Sequence, residues 1–217
     1  MDYVAARMNM VDRQIRANGV QDPAVIRAMA EIPREAFVAK ALRGQAYVDE
    51  NLDIGGGRWL MAPLALGRLL QGAAITPTDV ALVIGDTTGY VTAVAARLAS
   101  FVVALDRDAE TTQRVAPLLA EMAIGNVDLV HGPLAVGFPA KAPYDAIVLA
   151  GAVGDLPAEL GRQLGDGGRL VGVVKPRPGP GKGTLMMRAA DTWGRRELFD
   201  ANIPLLPGTE AAAGFVF

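Results

Sequence analysis

The sequence predicts an α/β fold with a doubly wound, mostly parallel sheet, preceded by a helical segment and followed by a strand hairpin. From residue 80 onwards, short apolar runs alternate with helix-compatible windows, which indicates βαβ units. The runs are apolar almost throughout, as expected where helices cover both faces of a parallel sheet. The 25 glycines and 14 prolines suit a fold with many tight strand-to-helix turns.

Two amphipathic helices are predicted at the start of the chain. The first covers residues 4–18 and ends at Asn18–Gly19, because apolar residues recur there every three or four positions. The second begins with Asp22 as N-cap and Pro23 in its first turn, and it ends before Pro33. The next predicted elements are a short helix over 34–42, a loop over 44–58 and a helix from Pro63.

The remaining elements follow from the apolar runs and the windows between them. The predicted parallel strands are 80–84, 101–105, 127–130, 145–149 and 169–174. The predicted helices between them are 90–99, 109–122 and 156–164. Two further strands, 184–189 and 197–203, are separated by a polar turn around Asp191 and predict an antiparallel hairpin at the sheet edge. The Pro/Gly-rich stretch 176–183 is predicted to be a loop within the domain.

Composition narrows the classes of function. The 217 residues are 51% hydrophobic and predict one domain over 1–217, with a helical part over 1–75 and the sheet over 76–217. With 21 basic and 23 acidic residues, no nucleic-acid partner is expected. Cysteine is absent and His131 is the one histidine, so no metal site is predicted. No secretory signal and no long apolar run is present, which predicts a soluble cytoplasmic protein without a membrane partner.

The first predicted strand and its turn, ALVIGDTTGY, form the strongest local motif. Gly85 and Gly89 allow a tight turn into a helix whose N–H groups face a ligand, but a structural turn is an equally good interpretation. Asp106 ends the second strand, about twenty residues after Gly85, where a carboxylate accepts ribose hydroxyls. Its alternative role is a helix cap. The two signals together favour a nucleotide-type ligand.

Other motifs carry less information. His131 is interpreted as a polar residue at a strand end, and Ser100, the one serine, lies outside a nucleophile motif, which argues against a serine hydrolase. The string Gly181–Thr184 is similar to a phosphate loop, but no strand leads into it in the required pattern. We interpret it as a mobile loop.

Several segments, in the right order, resemble one enzyme family. They are MVDRQIRANGVQDPAVIRAMAEIPREAFV (10–38), AYVDENLDIGGGRWLMAP (46–63), ALVIGDTTGY (81–90), PYDAIVLAGAV (143–153) and LGRQLGDGGRLVGVV (160–174). On these residues the chain resembles the protein-L-isoaspartate O-methyltransferases, which use S-adenosylmethionine. The resemblance implies the methyltransferase version of the doubly wound sheet. It also implies methyl transfer to an isoaspartyl or related carboxylate of proteins or peptides.

The resemblance also implies the site residues. Cofactor contacts fall on Gly85, Asp86, Gly89, Tyr90, Asp106, Gly132 and Pro133. Substrate contacts fall on Gly57, Trp59, Met61 and Pro63. The catalytic residue stays unassigned, because Met61 stands where the family has its serine. Asp86 is interpreted as a displaced carboxylate that offsets a lost acid by binding the cofactor's ammonium group.

This chain departs from the family pattern at polar positions. Trp59 replaces a threonine, Val83 an acid, Thr87 a glycine and Pro133 an aspartate. The alternative to an enzyme is therefore a catalytically weak or inactive pseudoenzyme, which has the same fold and acts as a binding protein. A nicotinamide-dependent oxidoreductase is disfavoured, because the full G-x-G-x-x-G motif is missing. The pattern predicts no oligomeric state.

Overall fold

The computed structural model describes residues 1–176, 179–190 and 192–209. Helix α1 begins at Tyr3 and runs as α-helix to Asn9, with Asp2 as its cap. It continues as a π-helical turn over Met10–Ile15 and a 3₁₀ turn over Arg16–Asn18. Gly19 ends it with a φ of 90°, a left-handed conformation that glycine adopts without steric cost. The first predicted helix is confirmed, with a wider central turn.

The rest of the helical part differs from the prediction in two places. Helix α2 covers Pro23–Glu31 as predicted, with the Asp22 carboxylate accepting from the N–H of Ala24 at 2.8 Å. The predicted third helix is instead two 3₁₀ turns, Arg34–Phe37 and Lys40–Gln45. The predicted loop contains an antiparallel hairpin of β1 (Leu52–Gly55) and β2 (Arg58–Leu60), turning at consecutive glycines. Helix α3 covers Pro63–Ala73.

One sheet of seven strands forms the centre of the molecule, and its strand order is β5-β4-β3-β6-β7-β8-β9. The parallel strands are β3 (Val80–Ile84), β4 (Phe101–Asp106), β5 (Val127–His131), β6 (Tyr144–Val153) and β7 (Leu164–Val174). The connecting helices are α4 (Tyr90–Ala96), α5 (Ala109–Glu121) and α6 (Ala158–Arg162). The predicted doubly wound sheet is therefore confirmed. Apolar clusters cover both of its faces.

The antiparallel hairpin at the sheet edge is also confirmed. It consists of β8 (Gly181–Ala189) and β9 (Thr192–Ala201), with β9 outermost and exposed along most of its length. The string Gly181–Thr184 begins β8, so its interpretation as a mobile loop is wrong. Pairing with β7 explains the difference, because β7 provides hydrogen-bond partners for the backbone of this stretch. The local sequence pattern gives no sign of that pairing. The turn residue Asp191 lies outside the described residues.

The amino ends of the parallel strands carry a satisfied ion pair. Asp79, just before β3, accepts hydrogen bonds from Thr76 Oγ1 at 2.6 Å and from the guanidinium of Arg169. Arg169 also donates through Nε to the carbonyl of Ala73 at 2.8 Å, which joins α3 to β7. Burial alone would raise the pKa of Asp79, but the donors outweigh it and the pKa is lowered. The Asp79 carboxylate at this end of the sheet is therefore paired within the chain.

After β9 the chain returns across the opposite end of the sheet. Segment Ile203–Thr209 runs beside the end of β6, and Leu205 forms a parallel bridge with Ala152. Its backbone is bonded to that strand at several points.

Across the described ranges, the helices are too short or too polar for a bilayer span.

Candidate functional site

The carboxyl ends of the parallel strands enclose a narrow cleft where the strand order reverses. β4 lies on one side of β3 and β6 lies on the other, so the chain leaves the sheet in opposite directions there. Ligands of open α/β sheets bind at such a switch point. The cleft is bordered by the β1–β2 hairpin, by the ends of β3, β4 and β6, and by Ile203–Pro207.

The loop after β3 is organised around its own carboxylate. Asp86 accepts hydrogen bonds from the hydroxyl of Thr88 at 2.8 Å and from the N–H groups of Gly89 at 3.0 Å and Thr92 at 2.7 Å. Both carboxylate oxygens thus satisfy N–H groups at the start of α4, where the helix dipole favours a negative charge. This geometry makes the Asp86 carboxylate a cap of α4, and its contact with the cofactor's ammonium group stays a prediction.

Glycine is required at two positions of this loop but not at the third. Gly85 has a φ of 78° and Gly89 a φ of 87°, both left-handed. Thr87 does not have a positive φ, so its side chain causes no backbone strain. Its carbonyl accepts a hydrogen bond from Arg114, while its hydroxyl is buried without a partner among the described residues. Thr87 therefore presents an unpaired polar group at the cleft wall.

Asp106 places a second unpaired polar atom in the cleft. The residue ends β4 and is 5% exposed. Its Oδ1 accepts from the N–H of Asp108 at 2.9 Å, whereas Oδ2 has no partner in the described part of the chain. Burial raises the pKa of Asp106, and the Asp108 N–H and the nearby Thr111 hydroxyl oppose that rise. An unpaired buried acceptor is costly, so Oδ2 is suited to a donor that a ligand supplies.

One wall of the cleft is apolar. Trp59 and Met61 lie on and just after β2, and both border the cleft. Met61 is 2% exposed, and its carbonyl accepts from Arg34 Nη2 at 2.5 Å. The Arg34 guanidinium also donates to the carbonyl of Ala46 at 2.5 Å and lies 4.9 Å from the ring centre of Tyr90. A buried cation thus fixes the apolar wall against the first residue of α4.

A second, open groove adjoins the cleft. It has a volume of about 520 Å³ and shares Trp59, Ile203 and Pro204 with the cleft. Its charged border consists of Asp49, Glu50, Arg68, Lys175 and Asp200. Trp59 is 38% exposed because it stands between the two spaces. Trp59, Ile203 and Pro204 thus lie between the narrow cleft and the open groove.

The structure brings only part of the predicted site together. The predicted residues that border the cleft are Gly57, Trp59, Met61, Gly85 and Asp106. Those placed elsewhere are Pro63, Asp86, Gly89, Tyr90, Gly132 and Pro133. Tyr90 is fully buried against Phe37, with ring centres 5.6 Å apart, and a Cβ on Gly89 would meet Val115 at 2.6 Å. Pro63 occupies the first turn of α3.

Several cleft residues were missed by sequence reasoning. They are Arg58, Thr87, Arg107, Asp108, Leu134, Ala150, Gly151 and Ile203–Pro207. Thr87 was noted only as a departure from the family pattern. Ala150 and Gly151 could have been found, because small residues at the carboxyl end of a central strand leave space for a ligand. The return of Ile203–Pro207 to the cleft has no local signal, since it depends on the sheet order.

The fold and the cleft define a Rossmann-like α/β protein with a nucleotide-type site at its switch point. Comparison with known proteins makes this more specific. The family model described as Protein-L-isoaspartate(D-aspartate) O-methyltransferase matches residues 6–188. The chain therefore belongs to the protein-L-isoaspartate O-methyltransferase family, and the resemblance seen in the sequence is confirmed.

Individual relatives agree with this assignment. A protein-L-isoaspartate O-methyltransferase of Methylorubrum extorquens is 37% identical over 97% of this chain and 92% of its own length. Protein-L-isoaspartate O-methyltransferase 1 of Rhodopseudomonas palustris is 40% identical over 78% of this chain and 69% of its own. A solved structure of a protein-L-isoaspartate O-methyltransferase superposes with a TM-score of 0.82 at 22% identity, over 94% of this chain and 66% of that one. The last comparison supports the fold.

Proposed function

We propose that this protein transfers a methyl group from S-adenosylmethionine to an isoaspartyl carboxylate of a protein or peptide. The observation that carries the proposal is the unpaired Oδ2 of Asp106, buried at the switch point of a chain that belongs to this family. A related structure, from Plasmodium falciparum, is described as a complex with S-adenosyl-L-homocysteine. The cytoplasm is the compartment that we predict for the reaction.

The cleft residues fit a nucleoside at one end. Asp106 Oδ2 would accept the ribose hydroxyls. Gly85 has no side chain of its own at the cleft, and Leu206 packs against its backbone. When bound, the cofactor supplies an electrophilic methyl group on a sulfonium.

The acceptor needs little chemical activation. An ionised carboxylate would form the new O–CH₃ bond while the S–CH₃ bond breaks, and the electron pair of the broken bond would stay on sulfur. Because the carboxylate is already ionised, no proton has to be removed. The chain's task is then to hold the carboxylate in line and exclude water. Trp59 and Met61 exclude water but offer no hydroxyl to the carboxylate.

Arg58 is the group that would hold this carboxylate. It borders the cleft, and its Nε donates to the carbonyl of Gly55 at 3.3 Å, whereas its neighbour Arg107 pairs with Asp108 at 3.6 Å. A guanidinium binds a carboxylate through two parallel hydrogen bonds. Arg58→Gln should therefore raise KM for the peptide by about tenfold with a smaller change in kcat. An unchanged KM would remove Arg58 from this role.

The proposed function is tested by methyl incorporation into an isoaspartyl peptide at saturating S-adenosylmethionine. The same peptide with ordinary aspartate is the control. We expect slow turnover with the isoaspartyl peptide and none with the control. The double variant Trp59→Thr with Met61→Ser restores hydroxyls and should raise the rate by about ten- to a hundredfold. No turnover by either form would contradict the proposal.

A further inference from the structure

The side chain of Leu206 occupies the middle of the cleft. A Cβ on Gly85 would lie 2.6 Å from Leu206 Cδ2, and a Cβ on Gly151 would lie equally close to that atom. Leu206 therefore packs directly on the backbone of two glycines, one just after β3 and the other in β6. The residue is 6% exposed. It fills the space that the two glycines leave at the switch point.

Little room for a ligand remains beside Leu206. The free volume of the cleft is about 30 Å³. Pockets that hold cofactors and similar ligands have volumes of roughly 300–1,000 Å³. Asp106 borders the cleft, but the space between Gly85 and Gly151 is filled by Leu206. A nucleoside with an amino-acid extension cannot enter until Leu206 leaves.

The segment that carries Leu206 is attached by backbone hydrogen bonds and by the side chains that it buries. Two backbone bonds join it to β6, from Ala152 N to the carbonyl of Pro204 at 2.9 Å and from Leu206 N to that of Ala152 at 2.7 Å. A third runs from the N–H of Gly154, just after β6, to the carbonyl of Thr209 at 2.9 Å. Water replaces such bonds at a small net cost. The burial of Leu206, together with that of Ile203 in the core, therefore helps to hold the segment in place.

We propose that segment Ile203–Thr209 is a gate of the cofactor site, in which Leu206 competes with the amino-acid end of the cofactor for one space. The inference rests on the proposed function, which supplies the ligand. Only molecules with the gate open bind the cofactor, so the apparent affinity is reduced by the fraction that is open. Because Ile203 and Pro204 also border the outer groove, opening the gate joins the groove to the cleft.

The gate is tested by titrating the purified protein with S-adenosylhomocysteine in a calorimeter. Leu206→Ala should bind at least about tenfold more tightly than the natural sequence, because a larger fraction is open. The same variant should unfold at a lower temperature without ligand, because a buried contact is lost. A loss of stability together with a gain in affinity distinguishes a gate from an ordinary core residue. Leu206→Val, a milder change, should shift both quantities in the same directions.

Leu160→Ala is the matched control. Leu160 is 1% exposed and belongs to the same apolar cluster as Leu206, but it does not border the cleft. Its loss should lower the unfolding temperature and leave the affinity unchanged. If the natural protein binds and neither Leu206 variant binds more tightly, the gate is wrong and the proposed function stands. If no form binds S-adenosylhomocysteine, the cofactor assignment fails and the gate fails with it.

Discussion

Each end of the parallel sheet buries an aspartate, and the pKa values of the two carboxyl groups are shifted in opposite directions. At the amino end, Asp79 accepts from Thr76 and Arg169, and its pKa is lowered. At the carboxyl end, Asp106 has one unpaired oxygen, and burial raises its pKa. An aspartate thus stabilises the fold at one end, whereas at the other end an aspartate oxygen is left without a hydrogen-bond donor. Among the buried side-chain atoms without a partner in the described residues, those of Thr87 and Asp106 border the cleft.

The largest effect is expected at the amino end. Asp79→Ala leaves Arg169 without its carboxylate and should lower the free energy of unfolding by about 2–3 kcal/mol, less than for a fully buried pair. Denaturant unfolding measures the change. Affinity for S-adenosylhomocysteine should not change. If the variant is as stable as the natural protein but binds more weakly, the division between the two ends is wrong.

At the carboxyl end the consequences are reversed. Asp106→Ala should weaken the binding of S-adenosylhomocysteine by about 1–3 kcal/mol, because the ribose hydroxyls lose their acceptor. Its stability should change little, since one carboxylate oxygen had no partner to lose. Calorimetric titration and denaturant unfolding of the same preparation give both values. An unchanged affinity would leave Asp106 as a helix cap.

The two carboxylates should also differ in how pH changes stability. The pKa of Asp79 is lowered on folding, so its contribution is present above about pH 4 and is lost as pH falls through the folded-state pKa. The pKa of Asp106 is raised, so its contribution is full below about pH 4 and is lost as pH rises through the folded-state pKa. Unfolding of Asp79→Asn and Asp106→Asn between pH 3 and 7 compares them. Parallel curves for the two variants would contradict this assignment.

The smallest effect is expected at Thr87. Thr87→Gly removes a Cβ from the cleft wall and should tighten S-adenosylhomocysteine binding. The free energy of unfolding should fall by less than about 1 kcal/mol, because glycine gains freedom in the unfolded chain. Weaker binding by this variant would instead make the buried Thr87 hydroxyl a ligand of the cofactor.

Most of the fold could be predicted because its signals are local. Strand 80–84 was predicted with its observed bounds, and α2 was fixed by Asp22 and Pro23. The errors lie where tertiary contacts, and not the local sequence, determine the secondary structure. The β1–β2 hairpin is short and follows a polar stretch, and the start of β8 is glycine-rich, so neither has a strand pattern of its own.

The candidate site was harder to predict, because a position in a motif does not fix where a side chain points. Asp86 follows the glycine of the β3 turn, yet its carboxylate serves the N-terminus of α4. Tyr90 is next to the turn but packs into the core beside Arg34. Leu206 is far from every motif in sequence, and only the course of the chain after β9 brings it to Gly85.

The exposed outer strand β9 has a consequence for colloidal behaviour. An open sheet edge is a template on which strands of other molecules can add, and charged side chains on the edge oppose this. The charges on β9 are Arg195, Arg196, Glu197 and Asp200. A strand from a second molecule would have to dehydrate them to form its hydrogen bonds. The edge is thereby protected against strand-by-strand aggregation when the protein is concentrated.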